Sequence, residues 1–316
     1  MENSMSLPKL IVIAGPTAVG KTKIAIELAK RINGEIISAD SMQVYKYMDI
    51  GTAKPTLEEM DGIKHYLIDE IEPNDAYSVA VFVQKSKEYL HDIYQRGKQP
   101  IIVGGTGFYI NALVCDNNFM STDIEVGNTT IREELYRMAN EQSELSLHNM
   151  LMEIDPVAAE RIHPNNVKRV IRAIEFHKLT DGKLISEHND AEKLRTSPYD
   201  VSLFVLDMPR GKLYERIELR IDKMIEDGLV GEVQHLLDMG VSPDAISMRG
   251  LGYKEVVPYL QGHTTLDEAT ELLKRNTRRF AKRQLTWFKH QCPNATTISV
   301  DETGNESIIN NIIRAL

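Results

Sequence analysis

From Lys9 to Ala14 the chain reads KLIVIA, an apolar run broken by Gly15 and Pro16. From Lys21 to Arg31 apolar residues then recur at Ile24, Ala25, Leu28 and Ala29. The first pattern predicts a buried strand and the second a helix, joined by a turn. Glu35 to Ala39, His65 to Ile68 and Pro100 to Val103 repeat the strand pattern, with a helix from about Ser78 to Arg96 between the last two. Strands alternating with helices predict a parallel sheet covered on both faces. After Gly107 the periodicity becomes helical, and nothing from about Thr122 to about Leu194 reads as a strand. Val201 to Leu206 returns to strand. Helices follow over Lys212 to Asp227, Glu232 to Met239 and, at greater length, Leu266 to His290, before a late strand near Thr296 to Val300. The pattern therefore predicts an α/β core over 1–121 and 195–316, interrupted by a helical insertion over 122–194.

With 316 residues, 42% of them hydrophobic and 26% charged, the chain has the composition of an ordinary folded protein and not of a low-complexity or disordered one. Its two cysteines, Cys115 and Cys292, are far apart, which excludes a disulfide scaffold or a cysteine zinc site and suits a reducing compartment. Apolar stretches such as Leu10 to Ala14 fall far short of the roughly 20 residues a membrane helix needs. A cytoplasmic protein with no membrane partner is expected. The net charge of −9 argues against a polyanionic partner, but its distribution reverses that reading. From Thr122 to Glu160, nine acidic residues stand against Arg132 and Arg137; from Lys274 to Lys289 there are seven basic residues and no acidic one. A nucleic acid responds to the local field, so the basic segment counts for more than the total.

The strongest chemical signal is GPTAVGKT, residues Gly15, Pro16, Thr17, Ala18, Val19, Gly20, Lys21 and Thr22, placed between the first strand and the first helix. In that context GxxxxGK[ST] is a phosphate loop: backbone N–H groups and a helix N-terminus cradle phosphate oxygens, the lysine adds a point charge, and the Thr22 hydroxyl suits Mg²⁺. The sheet is accordingly expected to be of the P-loop NTPase-like type. Such proteins commonly add an acid at a strand end. Asp40, closing EIISAD, is one candidate, with capping of the turn as its structural alternative. Asp69 or Glu70 is the other, in a segment that reads mainly as turn and surface. Nine scattered histidines show no metal-ligand spacing, so no zinc site is expected.

Six segments taken in order resemble the tRNA isopentenyltransferase family, the bacterial tRNA dimethylallyltransferases. They are GPTAVGKT, ISADSMQVYKYMDIGTAKP (Ile37 to Pro55), VGGTGFY (Val103 to Tyr109), RIHPNNVKRVIRAIE (Arg161 to Glu175), RGLGYKE (Arg249 to Glu255) and KRQLTWF (Lys282 to Phe288). The resemblance spans about Leu10 to Phe288. It implies transfer of a dimethylallyl group from dimethylallyl diphosphate to N6 of adenine 37 in tRNA, with the phosphate loop holding diphosphate as the leaving group and Mg²⁺ as the cofactor. It implies Asp40 as the base at N6 and Thr106 as the residue that helps position the amine. Ser41, Met42 and Gln43 are implied as tRNA contacts, and Arg220 as the arginine facing the diphosphate. Lys168, Arg169, Arg172, Lys282 and Arg283 would contact the anticodon stem-loop. On spacing alone Arg216, one helical turn before Arg220, is an equal candidate. The chain is expected to be a monomer.

Two other functions fit parts of the pattern. An isopentenyltransferase acting on free AMP, ADP or ATP would share the phosphate loop and the strand-end acid, although it has no need of a helical insertion or a basic helix. An ATP-dependent kinase would use Asp69 or Glu70 as its metal acid.

Overall fold

The computed structural model describes residues 6–116, 129–141, 143–193, 196–300 and 304–316. Two compact units result: Met1–Val114 with Pro198–Leu316, and Cys115–Ser197. The boundaries expected at 121/122 and 194/195 lie outside the described residues, as do Asp123 and Glu125 of the acidic block.

In the larger unit six parallel strands carry the sheet: β1 (Lys9–Ala14), β2 (Gly34–Ser38), β3 (His65–Tyr66), β4 (Gln99–Gly104), β5 (Asp200–Asp207) and β6 (Thr296–Ser299). Their spatial order is β3-β2-β4-β1-β5-β6. β1 lies at the centre, pairing Ile11 with Ile101 of β4 and with Ser202 of β5. Its residues Leu10 to Ala14 are fully buried, as expected for a strand covered on both faces. Around the sheet run α1 (Lys21–Arg31), α2 (Leu57–Met60), α3 (Val79–Gln95) and α4 (Gly107–Val114). α1 buries Ile24, Ala25, Ile26, Leu28 and Ala29, the stripe that the sequence periodicity marks.

The third strand is shorter than expected. It stops at Tyr66 because Leu67 and Asp69 adopt positive φ (60° and 56°), which ends the extended run. Glu70 then holds the turn, accepting from the Leu67 N–H at 2.6 Å and the Tyr89 hydroxyl at 2.7 Å. The Lys54 ammonium pairs with Asp69.

The smaller unit is helical throughout its described residues: α5 (Thr129–Glu141), α6 (Glu144–Ile154), α7 (Pro156–Arg161), α8 (Val167–Leu179) and α9 (Ile185–Lys193). Leu135, Leu147, Leu151, Val170, Ile171 and Ile174 form its core. Two acids turn inward. Asp155 accepts from the Ala158 and Ser186 N–H groups and the Ser186 hydroxyl, and these bonds hold its carboxyl below the usual range despite burial. Glu175 pairs with Arg132 at 2.8 Å and Arg172 at 3.2 Å.

The chain returns through α10 (Arg210–Glu226), α11 (Leu229–Asp238), α12 (Tyr253–Leu260), α13 (Leu266–Gln291) and α14 (Asn305–Ala315). α13 starts at a reciprocal cap: Glu268 N–H donates to the Thr265 hydroxyl, and Thr265 N–H donates to the Glu268 carboxylate. It packs along α10 and α12, while α14 packs on α1. Neither α12 nor α14 is among the elements expected from sequence. α14 nevertheless shows the helical stripe Ile308, Ile309 and Ile312, which is buried. Among the described residues no helix is long and apolar enough to cross a membrane.

Candidate active site

Strand order places three turns side by side at the carboxyl edge of the sheet, where ligands bind in α/β proteins. The phosphate loop follows β1, Gly105 and Thr106 follow β4, and Asp40 follows β2. Because β4 lies between β1 and β2, Thr106 falls between the phosphate loop and Asp40. The turns bearing Thr106 and Asp40 approach closely only because residue 104 is glycine: a methyl there would lie 2.3 Å from the Ala39 carbonyl oxygen. That oxygen accepts from the Thr106 N–H at 3.4 Å, and the Ala39 N–H donates to the Val103 carbonyl at 2.7 Å. The turns bearing Asp40 and Thr106 are thereby stitched together.

These turns open on a cavity of about 290 Å³. Thr17, Ala18, Asp40, Ser41, Met42, Thr106 and Arg220 line one part of it, and Ile217, Ile221, Met224, Leu273 and Phe280 line another. Gly20, with φ of 101°, precedes the first turn of α1, where Lys21 and Thr22 begin the helix. Lys21 Nζ donates to the Pro16 carbonyl at 2.6 Å. Burial pushes its ammonium down to about 7; the charge of Asp40 opposes that shift and Arg220 adds to it. Burial likewise lowers Arg220, whose charge Asp40 supports. This end, where Lys21 and Arg220 meet Asp40 and Arg220 also meets the field of Glu59, is suited to an anion. Arg220 lines this cavity, whereas the exposed Arg216 lies with Nη2 3.7 Å from the point where a Gly20 Cβ would be. Arg216 thus lies against Gly20 of the phosphate loop, while Arg220 shares the cavity with Thr17 and Ala18 and acts on Lys21 by charge.

The two readings of Asp40 divide between its oxygens. Oδ1 accepts from the N–H groups of Met42 (2.8 Å) and Gln43 (3.3 Å), the expected turn cap. Oδ2 has no hydrogen bond among the described residues and is the oxygen available for proton transfer. Gln43 is held on both sides: Oε1 accepts from the Ser38 hydroxyl at 3.2 Å, while Nε2 donates to the Thr52 and Ala53 carbonyls at 3.3 Å. Its amide is therefore committed to the protein in this structure.

Sequence reasoning missed the group that holds the far end of this segment. Glu232, in the first turn of α11, accepts from Asp49 N–H (2.8 Å) and Ile50 N–H (2.7 Å) at Oε2, and from Gly51 N–H (3.0 Å) and the Tyr253 hydroxyl (2.6 Å) at Oε1. Only an acid in a first helical turn is visible in the sequence. An amide cannot accept on both sides, so Glu232→Gln is expected to destabilise the protein by about 2–4 kcal/mol. Calorimetry should record this as a fall in Tm. RGLGYKE also gains a location: Arg249 and Lys254 line the cavity.

The basic helix is less free than its composition suggests. Lys274 pairs with Asp222 at 2.7 Å and Arg278 with Glu218, so these two charges secure α13 to α10. Lys282 and Arg283 are exposed and line a concave face with Arg279 and Trp287; Arg283 also borders the main cavity. In the helical unit Lys168 and Arg169 are exposed, while Arg172 is drawn to Glu175.

Among the described residues no group of three or more His, Cys, Asp or Glu side chains could hold a metal ion. The Thr22 hydroxyl, in the first turn of α1, still fits Mg²⁺. That ion takes one or two protein oxygens and completes its shell with water and substrate phosphates.

Fold and site define a P-loop α/β protein whose phosphate cradle opens on a partly apolar chamber with an acid across from it, an arrangement for group transfer. The family model for IPP transferase matches residues 43–291. The tRNA dimethylallyltransferase of Lachnoclostridium phytofermentans is 52% identical over 307 residues, covering 97% of both chains. Among solved structures, the tRNA isopentenylpyrophosphate transferase of Bacillus halodurans is 46% identical, covers 97% of this chain and 95% of its own, and superposes with a TM-score of 0.72. A eukaryotic dimethylallyltransferase crystallised acting on tRNA is 30% identical, covers 98% of this chain and 80% of its own, with a TM-score of 0.83. The chain belongs to the IPP transferase family.

Proposed function

We propose that this protein transfers the dimethylallyl group of dimethylallyl diphosphate to N6 of adenine 37 in tRNA, releasing diphosphate. The observation that carries the reading is the single cavity shared by the phosphate loop, Arg220, Thr106 and Asp40, with apolar side chains on its wall. Lys21, Arg220 and the loop N–H groups bind the diphosphate and stabilise the charge that develops as the allylic C–O bond breaks. The apolar side chains shelter the five-carbon chain from water. Thr106 and the Gly105 turn orient the exocyclic amine.

N6 is a weak nucleophile because its lone pair is delocalised into the purine. As its bond to the allylic carbon forms, the C–O electron pair leaves on diphosphate and an N6 proton passes to Asp40 Oδ2. Thr22 would hold Mg²⁺, which would supply further charge neutralisation to the leaving group. Adenine 37 must leave its stack to reach the cavity, a cost of about a few kcal/mol for a base in a single-stranded loop. Lys282 and Arg283, with Lys168 and Arg169 of the helical unit, supply cations for the RNA backbone. The positive charge and the inserted unit favour an RNA over a free nucleotide as acceptor.

Incubation with the prenyl donor and unmodified tRNA, followed by mass spectrometry of the nucleosides, is expected to show adenosine heavier by one C5H8 unit. Prenylation of AMP alone, or donor-independent consumption of ATP, would replace this reading.

A further inference from the structure

Building on the transfer reaction proposed above, we propose that Gln284 is a positioning residue that sets the spacing between the diphosphate cradle and the amine-orienting turn. Its side chain leaves α13 and is only 7% exposed. Oε1 accepts from the Thr17 N–H of the phosphate loop at 2.9 Å, and Nε2 donates to the Gly105 carbonyl at 2.9 Å. Thr17 belongs to the donor end of the cavity, whereas Gly105 precedes Thr106 at the acceptor end. One amide therefore ties together the two turns between which the allyl group must move.

A primary amide suits this place at any pH. It offers an acceptor and a donor in one plane, which an ionised carboxylate, an ammonium or an aliphatic chain does not. The fit is tight: a methyl on Gly105 would lie 2.2 Å from Gln284 Nε2 and 3.2 Å from the Gly15 carbonyl oxygen, so the two turns also meet directly. One turn along α13, the Trp287 ring occupies the space beside Gly107, where a methyl would lie 2.1 Å away, and this pins the start of α4. Arg283, the residue before Gln284, borders the cavity. The Thr17 N–H, engaged by Gln284, is withheld from phosphate.

Each substrate would keep its own cradle without Gln284, because the β1–β4 pairing and the Gly104–Ala39 approach are independent of it. What changes is the separation of the reacting atoms. A misplacement of about 1 Å costs on the order of 10²-fold in rate, so the effect belongs in kcat and not in KM.

The test compares Gln284→Leu with Gln284→Glu in single-turnover and steady-state assays on an anticodon stem-loop RNA. Gln284→Leu is expected to lose about 10²-fold in kcat, with both KM values within about threefold of the parent. Gln284→Glu keeps the shape, and its carboxylate accepts from Thr17 N–H, but only the protonated form can also donate to the Gly105 carbonyl. Burial and a nearby diphosphate both favour that protonated form. The rate of Gln284→Glu relative to the parent at the same pH is therefore expected to rise at least tenfold from pH 8.5 to pH 6. A side chain that merely fills space would give a ratio independent of pH. A flat ratio, or losses confined to KM, would overturn the assignment. Absence of transfer by the parent enzyme is a separate outcome and would remove the function on which the assignment rests.

Discussion

Asp40→Asn is expected to lower the rate of prenyl transfer by about 10²- to 10⁴-fold, the range for loss of a general base, while leaving the fold intact. The substitution is chosen for its geometry. Oδ1 caps the turn by accepting from Met42 and Gln43 N–H, and an asparagine oxygen performs that task equally well. Only Oδ2 changes, from an oxygen able to take a proton into an NH2 group that cannot and that points a donor toward the amine of the acceptor. Asp40→Ala removes the cap as well, so a lower Tm in the alanine variant, unmatched in the asparagine one, separates turn-holding from catalysis. A secondary effect follows from charge. Asp40 supports the Lys21 ammonium, so its neutralisation lowers Lys21 further and weakens donor binding more at pH 8 than at pH 6.5. Single-turnover rates at saturating donor, taken at both pH values, isolate the chemical step. A rate within threefold of the parent at both would remove Asp40 from the role of base.

Lys21 carries the second large effect. With its ammonium held near 7 by burial, it is neutral in much of the free protein at pH 8. A bound diphosphate raises it again by attraction, so binding takes up a proton. The sign is fixed: Lys21 contributes no pH dependence well below pH 7, and above it affinity falls by up to tenfold per pH unit until the pKa of the bound state is reached. Titration calorimetry with a non-reacting thiolodiphosphate analogue, between pH 6.5 and 9 in two buffers of different ionisation enthalpy, reads both the slope and the proton. Lys21→Met is expected to flatten the slope and to lower kcat/KM by about 10²- to 10³-fold, the cost of removing one preorganised stabiliser of developing charge. An affinity independent of pH in the parent would show that Lys21 stays charged without its ligand.

Much of this site is legible in the amino-acid sequence. GPTAVGKT between an apolar strand and a helix states its function locally, because phosphate is held by consecutive backbone N–H groups of a single turn. Asp40 is legible as one of two strand-end acids, but its role as base, like that of Thr106 in its strand-end turn, is legible only through family resemblance. Glu232 lies in none of the six segments, and Gln284, although inside KRQLTWF, has no local feature that assigns it a role. Their backbone partners lie 181–183 residues away for Glu232 and 179 and 267 residues away for Gln284, and neither residue type is distinctive at its position. The basic segment shows the opposite case. Lys274 and Arg278 look like part of an RNA-binding stripe, yet they face Asp222 and Glu218 on α10, a pairing set by how two helices pack.

The strand-and-helix alternation, the helical insertion and the phosphate loop follow from short-range rules, in which neighbours one to four residues apart decide backbone geometry. The chain alone therefore determined that a phosphate-loop motif, suited to a polyphosphate anion, stands beside β1. Which groups face that anion was decided by strand order and helix packing. These put β4 between β1 and β2, leave Asp40 Oδ2 without a backbone partner, bring Arg220 to the cavity wall, and lay one buried amide across two turns. The physical reason is that hydrogen bonds and charges act over a few ångströms of space regardless of separation along the chain, and only the packed fold determines which distant residues come that close.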